Sequence, residues 1–340
     1  MINLKAKIFF LSLLLVLITT LPLLTSCDSS VKNEKKQSVQ LDKVSLRLPI
    51  PIADTGFSPY YLAVDKGIFN KYGLEVRLEP GSPELNPVKM VSQGQDQFGV
   101  VGGPELLMTG RAKGAGIIGI AQIHKDSDFS VLLTLKESGI TTLPQLEGKK
   151  VGFFIGHIST DIIHMLLTKE GITVDELDVG FDYGQLLTGK IDAQWAFRST
   201  AGVTLPAKGI ALNIISPADY GISTQGHMVI ANEALVNDKP DLVQRFTNAV
   251  LEGLQYSVDY PNEAVLATMQ RDPQFKAEIG EEQMKINIAA VKNNNRLGWI
   301  DQKDMEKTKA QLLSVNLLSE DFVVANAFTT AFLEQALKAE

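Results

Sequence analysis

The stretch that most constrains this chain is residues 44–81, VSLRLPIPIADTGFSPYYLAVDKGIFNKYGLEVRLEPG. Residues 44–50 are rich in apolar and β-branched side chains and read as a strand, ended by Pro49 and Pro51, which cannot donate to a central ladder. Ser58 offers a hydroxyl as N-cap and Pro59 fits the start of a helix, whose stripe of Tyr61, Val64 and Ile68 faces a sheet until Gly73 supplies a left-handed stop. Residues 74–78 form the next strand. The unit is βαβ, and its first loop, residues 51–57, leaves the carboxyl end of a strand, where open α/β sheets hold ligands.

The amino terminus says where such a chain resides. Lys5 and Lys7 precede an uncharged run over residues 8–24, and Leu24-Thr25-Ser26-Cys27 closes it with small residues before a cysteine. A basic region, an apolar region and a small-residue site make an export signal over residues 1–26. Cys27 is the only cysteine, so disulfides and clusters of thiolate metal ligands are excluded. Residues 27–42 are polar, lack aromatic side chains and form a tether. Loss of residues 1–26, which hold two lysines and no acid, leaves 30 basic against 39 acidic residues, a net charge of −9. That balance disfavours nucleic acid and anionic membrane surfaces as partners. The remaining chain of about 300 residues exceeds what one core usually serves, which points to two lobes.

After a short helix over residues 88–92 and a strand over 97–101, Gly102-Gly103-Pro104-Glu105 is another strand-to-helix junction. Gly102 and Gly103 can approach a ligand with bare backbone and Glu105 lies in the helix's first turn. Equally, the glycines serve a tight turn and the glutamate complements the helix dipole. Two motifs are decoys. Residues 114–119, GAGIIG, match the dinucleotide fingerprint, but a helix precedes and a strand follows, the reverse of what it requires. Residues 184–190, GQLLTGK, have P-loop spacing, yet Ile191 stands where a hydroxyl must hold magnesium. No metal site and no cofactor is expected.

Two further strands, residues 116–122 and 129–135, complete the first series, and a second begins near Lys136. Its strand over residues 150–154 ends at Ile155-Gly156-His157, and Ser159 or Thr160 caps a helix with Ile162, Ile163, Leu166 and Leu167 on its buried face. Strands follow at 179–181, 191–197 and 210–215, with helices at 183–188 and 201–208 between them. Trp195 and Phe197 alternate on one strand face, as sheet core or as a stacking wall for a planar ligand, and Tyr220 lies in a loop able to reach the same cleft. After a strand at 226–231 the chain is helical: 241–260, 262–270, 282–293, 303–313 and 320–338.

Residues 57–76 (FSPYYLAVDKGIFNKYGLEV), 106–114 (LLMTGRAKG), 139–152 (GITTLPQLEGKKVG) and 240–246 (PDLVQRF) resemble solute-binding proteins of ABC importers. The branch includes binders of thiamine-pyrimidine precursors, riboflavin, and sulfonates or nitrate. The resemblance implies an α/β, two-lobed type II periplasmic-binding-protein fold, each lobe a sheet flanked by helices, with a helical C-terminal region. It places lobe 1 at 43–135 plus 228–340 and lobe 2 at 136–227, with crossings at 135–139 and 223–227. It further implies a lipobox ending at Cys27, the lipidated residue that anchors the chain to the bacterial envelope outside the cytoplasm. The implied partners are a small-molecule solute, an ABC permease and its ATPase, and the working unit is a monomer.

Candidate ligand contacts are Asp54, Phe57, Ser58 and Tyr60; Gly102, Gly103 and Glu105; Gly156, His157, Ser159 and Thr160; and Trp195, Phe197 and Tyr220. The aromatic strand at Trp195 and the residues around Tyr220 look more like the pyrimidine and flavin binders than the sulfonate binders. Glu105 would repel a small anion and suit an amino-substituted ring. A thiamine-type pyrimidine is therefore first, riboflavin second, and sulfonate, taurine or nitrate third. Relatives of this outline that synthesise the pyrimidine carry a cysteine-rich iron motif that this chain lacks, which points away from an enzyme. A tethered sensor domain is a further alternative.

Overall fold

Every strand that runs toward the cleft must be followed by a loop at the cleft, and every crossing between lobes must deliver a strand that runs away from it; this rule orders both sheets. The computed structural model describes residues 40–338 except 83, 126–127, 155–159, 223 and 293–295. The expected export signal, Cys27 and nearly all of the tether lie outside the described residues.

The first sheet is laid down by β1 (Asp42–Arg47), α1 (Ser58–Asp65), α2 (Ile68–Lys71), β2 (Leu74–Glu79), α3 (Pro87–Ser92), β3 (Phe98–Val101), α4 (Pro104–Ala112) and β4 (Ile117–Gln122). The second contains β5 (Ser130–Leu135), β6 (Lys150–Phe153), α5 (Asp161–Glu170), β7 (Asp175–Asp178), α6 (Gly184–Leu187), β8 (Ala193–Phe197), α7 (Ala201–Ala207) and β9 (Leu212–Ile215). The chain then returns through β10 (Met228–Asn232) to α8 (Glu233–Asp238), α9 (Pro240–Asp259), α10 (Pro261–Met269), α11 (Ala277–Lys292), α12 (Gln302–Ser314) and α13 (Ala331–Lys338). Strand orders are β2-β1-β3-β10-β4 and β7-β6-β8-β5-β9. In the first sheet β10 is antiparallel to both neighbours, and in the second β5 is. These are the two strands that begin just after a crossing.

That pairing corrects the expected lobe boundary. β5 pairs with β8 and β9, so it belongs to the second lobe, and the first crossing runs over residues 123–129 rather than 135–139. β5 follows β4 in the chain after a short polar connection, so order along the sequence groups it with the first series, and pairing partners are not encoded in that order. The second crossing ends at His227, just before β10.

Three other elements differ from expectation. Gly67, at φ 66°, splits the first helix in two, so Val64 is 38% exposed while Tyr60 to Ala63 are four consecutive buried residues. They are all covered because α1 is clasped by both α9 and α10. The strand expected at 179–181 lies earlier, at β7, whose sequence DELD suits a solvent-facing edge. The helix expected over 320–338 shrinks to α13. Before it, Gly119 donates to Ala327 O at 2.9 Å and accepts from Thr329 N at 3.0 Å, which draws this segment out along the exposed edge of β4.

Candidate functional site: a cleft between the two sheets

The loop after β1 supplies the cleft's polar centre. Asp54, 3% exposed, caps the short 3-10 turn Thr55–Phe57 by accepting from Gly56 N at 2.7 Å, so the cap is Asp54 and not Ser58. Its other oxygen, Oδ2, accepts from Thr200 Oγ1 at 2.9 Å and from Gln283 Nε2 at 3.2 Å. Thr200 follows β8 of the second lobe, so this carboxylate ties the lobes together. Burial pushes the Asp54 pKa above the ordinary carboxylate range, partly offset by the Gly56 and Thr200 donors. A carboxylate accepts about four hydrogen bonds. Asp54 therefore retains one acceptor position, on Oδ1.

Around Asp54 opens a cavity of about 340 Å³, walled on both sides by aromatic side chains. Phe57 stacks on His227 with ring centroids 5.0 Å apart and planes at 20°, and Phe129 meets the same imidazole edge-on at 5.0 Å. From the second lobe, Phe197 lies 4.7 Å from Phe129 and 6.2 Å from Phe181, which meets Phe154 at 5.0 Å. Gly56 is obligatory here for lack of space: a Cβ would stand 3.0 Å from Asp54 Oδ1 and 3.1 Å from His227 Cε1.

His227 is 3% exposed, and its Nδ1 has no hydrogen-bond partner among the described residues. Burial lowers its pKa to about 4, partly offset by the Gly56 main chain, so the ring is neutral at pH 7. His124, 5.0 Å away, is driven down further by burial and by His227 itself.

Both histidines sit on the crossings, which are hydrogen-bonded to one another. His227 O accepts from Ile123 N at 2.8 Å, Gly226 N donates to His124 O at 3.0 Å, and Phe129 N donates to Thr224 Oγ1 at 3.2 Å. Gln122 Nε2 lies 2.8 to 3.1 Å from the carbonyls of His124, Gly226 and His227. The cleft's histidine wall and the hinge are thus one piece of structure.

Of the expected contacts, Asp54, Phe57, Gly102 and Phe197 line this cavity. Gly103 stands just behind it as the residue before α4. Ser58 is buried toward α11, with its hydroxyl 3.8 Å from Met284 Sδ, and Tyr60 is wholly buried with no described partner for its hydroxyl. The expectation for Trp195 as a stacking wall is corrected. It is 2% exposed in the second lobe's core, and its indole N–H donates to Ser130 Oγ at 2.6 Å. Phe197 shares its strand face with Trp195 and reaches the cleft because β8 ends there.

Glu105 also lies elsewhere. Its carboxylate folds back over Gly103, and it lines a separate cavity of about 20 Å³ between α4, α5 and α12. Tyr220 accepts from Leu143 N at 2.8 Å and packs in the second lobe, and Thr160 is buried at the start of α5. Neither lines the cavity. Gly156, His157 and Ser159 lie outside the described residues. The residues missed by sequence reasoning are Phe129, Phe154, Phe181, Thr200 and His227. The available signal was position, because each stands beside a strand end that faces the cleft.

Among the described residues no three His, Cys, Asp or Glu side chains are placed to hold a metal ion.

Two mixed sheets joined by paired crossings, with an aromatic cleft at the strand ends, define the two-lobed fold of periplasmic binding proteins. The solved periplasmic aliphatic sulphonate binding protein of Escherichia coli has this fold, with a TM-score of 0.66 and 14% identity, covering 84% of this chain and 91% of its own. The chain belongs to the NMT1/THI5-like family, which matches residues 54–264. A formylaminopyrimidine-binding protein of Halalkalibacterium halodurans is 25% identical over 281 residues, 79% of this chain and 84% of the relative. A 4-amino-5-hydroxymethyl-2-methylpyrimidine phosphate synthase of Legionella pneumophila is 24% identical over 284 residues, 81% of this chain and 88% of the relative.

Proposed function

We propose that this chain captures a planar nitrogen heterocycle outside the cytoplasm and delivers it to an ABC importer, with a thiamine-type pyrimidine as the first candidate. The observation that carries the reading is the cleft itself: six rings flanking one buried carboxylate at the junction of the lobes. A planar ring stacks on such walls for about 0.5 to 1.5 kcal/mol per aromatic pair beyond the area it buries. The remaining acceptor position on Asp54 suits an amino group. The formylaminopyrimidine-binding relative supports the same ligand class.

An anion fits this end of the cleft poorly, because Asp54 is a carboxylate and His227 is neutral at pH 7. Sulfonate, taurine and nitrate therefore rank below the heterocycles. Riboflavin is the second reading, favoured by a cavity longer than one ring. Binding rather than synthesis is supported by cysteine usage, since Cys27, inside the export motif, is the only thiol in the chain.

Titration calorimetry on the full-length protein in detergent, against an aminopyrimidine alcohol, riboflavin and taurine, tests the reading. Binding of a heterocycle without taurine is the expected result; binding of taurine alone would overturn it. The proposed lipid anchor at Cys27 is checked by mass spectrometry of the amino-terminal peptide. An unacylated terminus that still begins at Met1 would rule it out.

A further inference from the structure

The cavity does not end at the aromatic cage. Leu106, Thr109, Gly110 and Lys113 all line it, at the i, i+3, i+4 and i+7 spacing of one face of α4 and its C-cap. At 1.5 Å per residue, seven residues carry the cavity about 10 Å along the helix. Pro49, Pro51 and Asn86, all from the first lobe, line it as well. Val88, which also borders the cavity, packs directly on α4 at Gly110, where a Cβ would stand 2.8 Å from Val88 Cγ1. A single six-membered ring held between Phe57 and Phe197 leaves this channel unfilled.

The charges of the lining residues are separated along it. Asp54 stands at the aromatic end and Lys113 at the exposed end; they are the only acidic and the only basic side chain among the described lining residues apart from His227, which is neutral at pH 7. The Lys113 ammonium makes no hydrogen bond or ion pair with any described residue. Glu84, which accepts from the lining Ser82 Oγ at 2.9 Å, is exposed and outside the lining.

We infer that the solute is a nitrogen heterocycle bearing a substituent about 10 Å long that ends in an anionic group, with the channel along α4 as its site and Lys113 as its counter-charge. The inference rests on the heterocycle reading above, adds the length and charge of the substituent, and within that reading moves a flavin-like solute ahead of a thiamine-type pyrimidine. An exposed pair is worth little, so the anionic end should improve affinity roughly fivefold, and less at high salt.

The test compares ring alcohols with their phosphate esters by calorimetry on the full-length protein and its Lys113→Gln variant. Riboflavin and its 5′-phosphate carry a chain long enough to reach Lys113; the aminopyrimidine alcohol and its phosphate do not. The expected result is a roughly fivefold preference of the wild type for riboflavin phosphate over riboflavin, abolished in Lys113→Gln, with no Lys113-dependent preference in the pyrimidine pair. Equal binding of riboflavin and its phosphate by the wild type, or a preference that survives Lys113→Gln, overturns the inference and leaves the heterocycle reading standing. If the wild type binds neither ring, the heterocycle reading falls and takes this one with it.

Discussion

Replacing Thr200 by valine keeps the side chain's volume and removes one hydroxyl from the seam between the lobes. That hydroxyl donates at 2.9 Å to Asp54 Oδ2, a hydrogen bond to a charged acceptor worth about 1.5 to 3 kcal/mol. Asp54 keeps its Gly56 and Gln283 donors in the variant, so it is not orphaned and the lower figure applies. The bond exists only where the lobes meet, so its loss falls on the closed form. Closure coupled to capture should then weaken binding about tenfold, one decade per 1.4 kcal/mol.

Calorimetry gives the affinity, and solution scattering at saturating solute should show the same compact particle for both proteins. Acid supplies an internal control. Because the Asp54 pKa is raised by burial, it takes up a proton earlier than an ordinary carboxylate as pH falls. The charged acceptor then becomes a neutral one, worth about 0.5 to 1.5 kcal/mol, and the gap between variant and wild type should narrow. Equal affinities at neutral pH would refute the latch, and a gap that widens in acid would refute the assignment of its charge.

Two other measurements probe the hinge and the core. His227 has a folded pKa of about 4 against 6.5 unfolded, so its contribution is fully present above pH 6.5 and is lost as pH falls toward 4, about 3 kcal/mol in all. Denaturant unfolding between pH 7 and 4 should show that loss reduced in His227→Gln, and an identical pH slope in the two proteins would exclude His227 as the source. Trp195→Ala should cost about 3 to 5 kcal/mol of stability as a core truncation, with solute affinity of the folded fraction little changed. A variant of wild-type stability with lost affinity would return Trp195 to the cleft wall.

The sequence by itself determined the local elements and the end of the sheet at which to look. Proline after β1, glycine at position 73, and apolar runs bounded by turn residues act through the backbone of their own segment, so they are legible without a fold. The same logic placed Asp54, Phe57, Gly102 and Phe197 at the cleft, since each follows or ends a strand that runs there. Tertiary structure decided what depends on partners distant in sequence. β5 joined the second lobe because of its pairing with β8 and β9, a choice no apolar run records. Trp195 and Phe197, two residues apart on one strand, part company because only the end of β8 reaches solvent-filled space. Glu105 turned back over its own glycine, while Phe129, Phe154, Phe181, Thr200 and His227 were brought to Asp54 from segments up to 173 residues away in the chain. Their assembly is set by the hinge, where two crossings exchange hydrogen bonds, and cooperative long-range packing of that kind is a property of the whole fold.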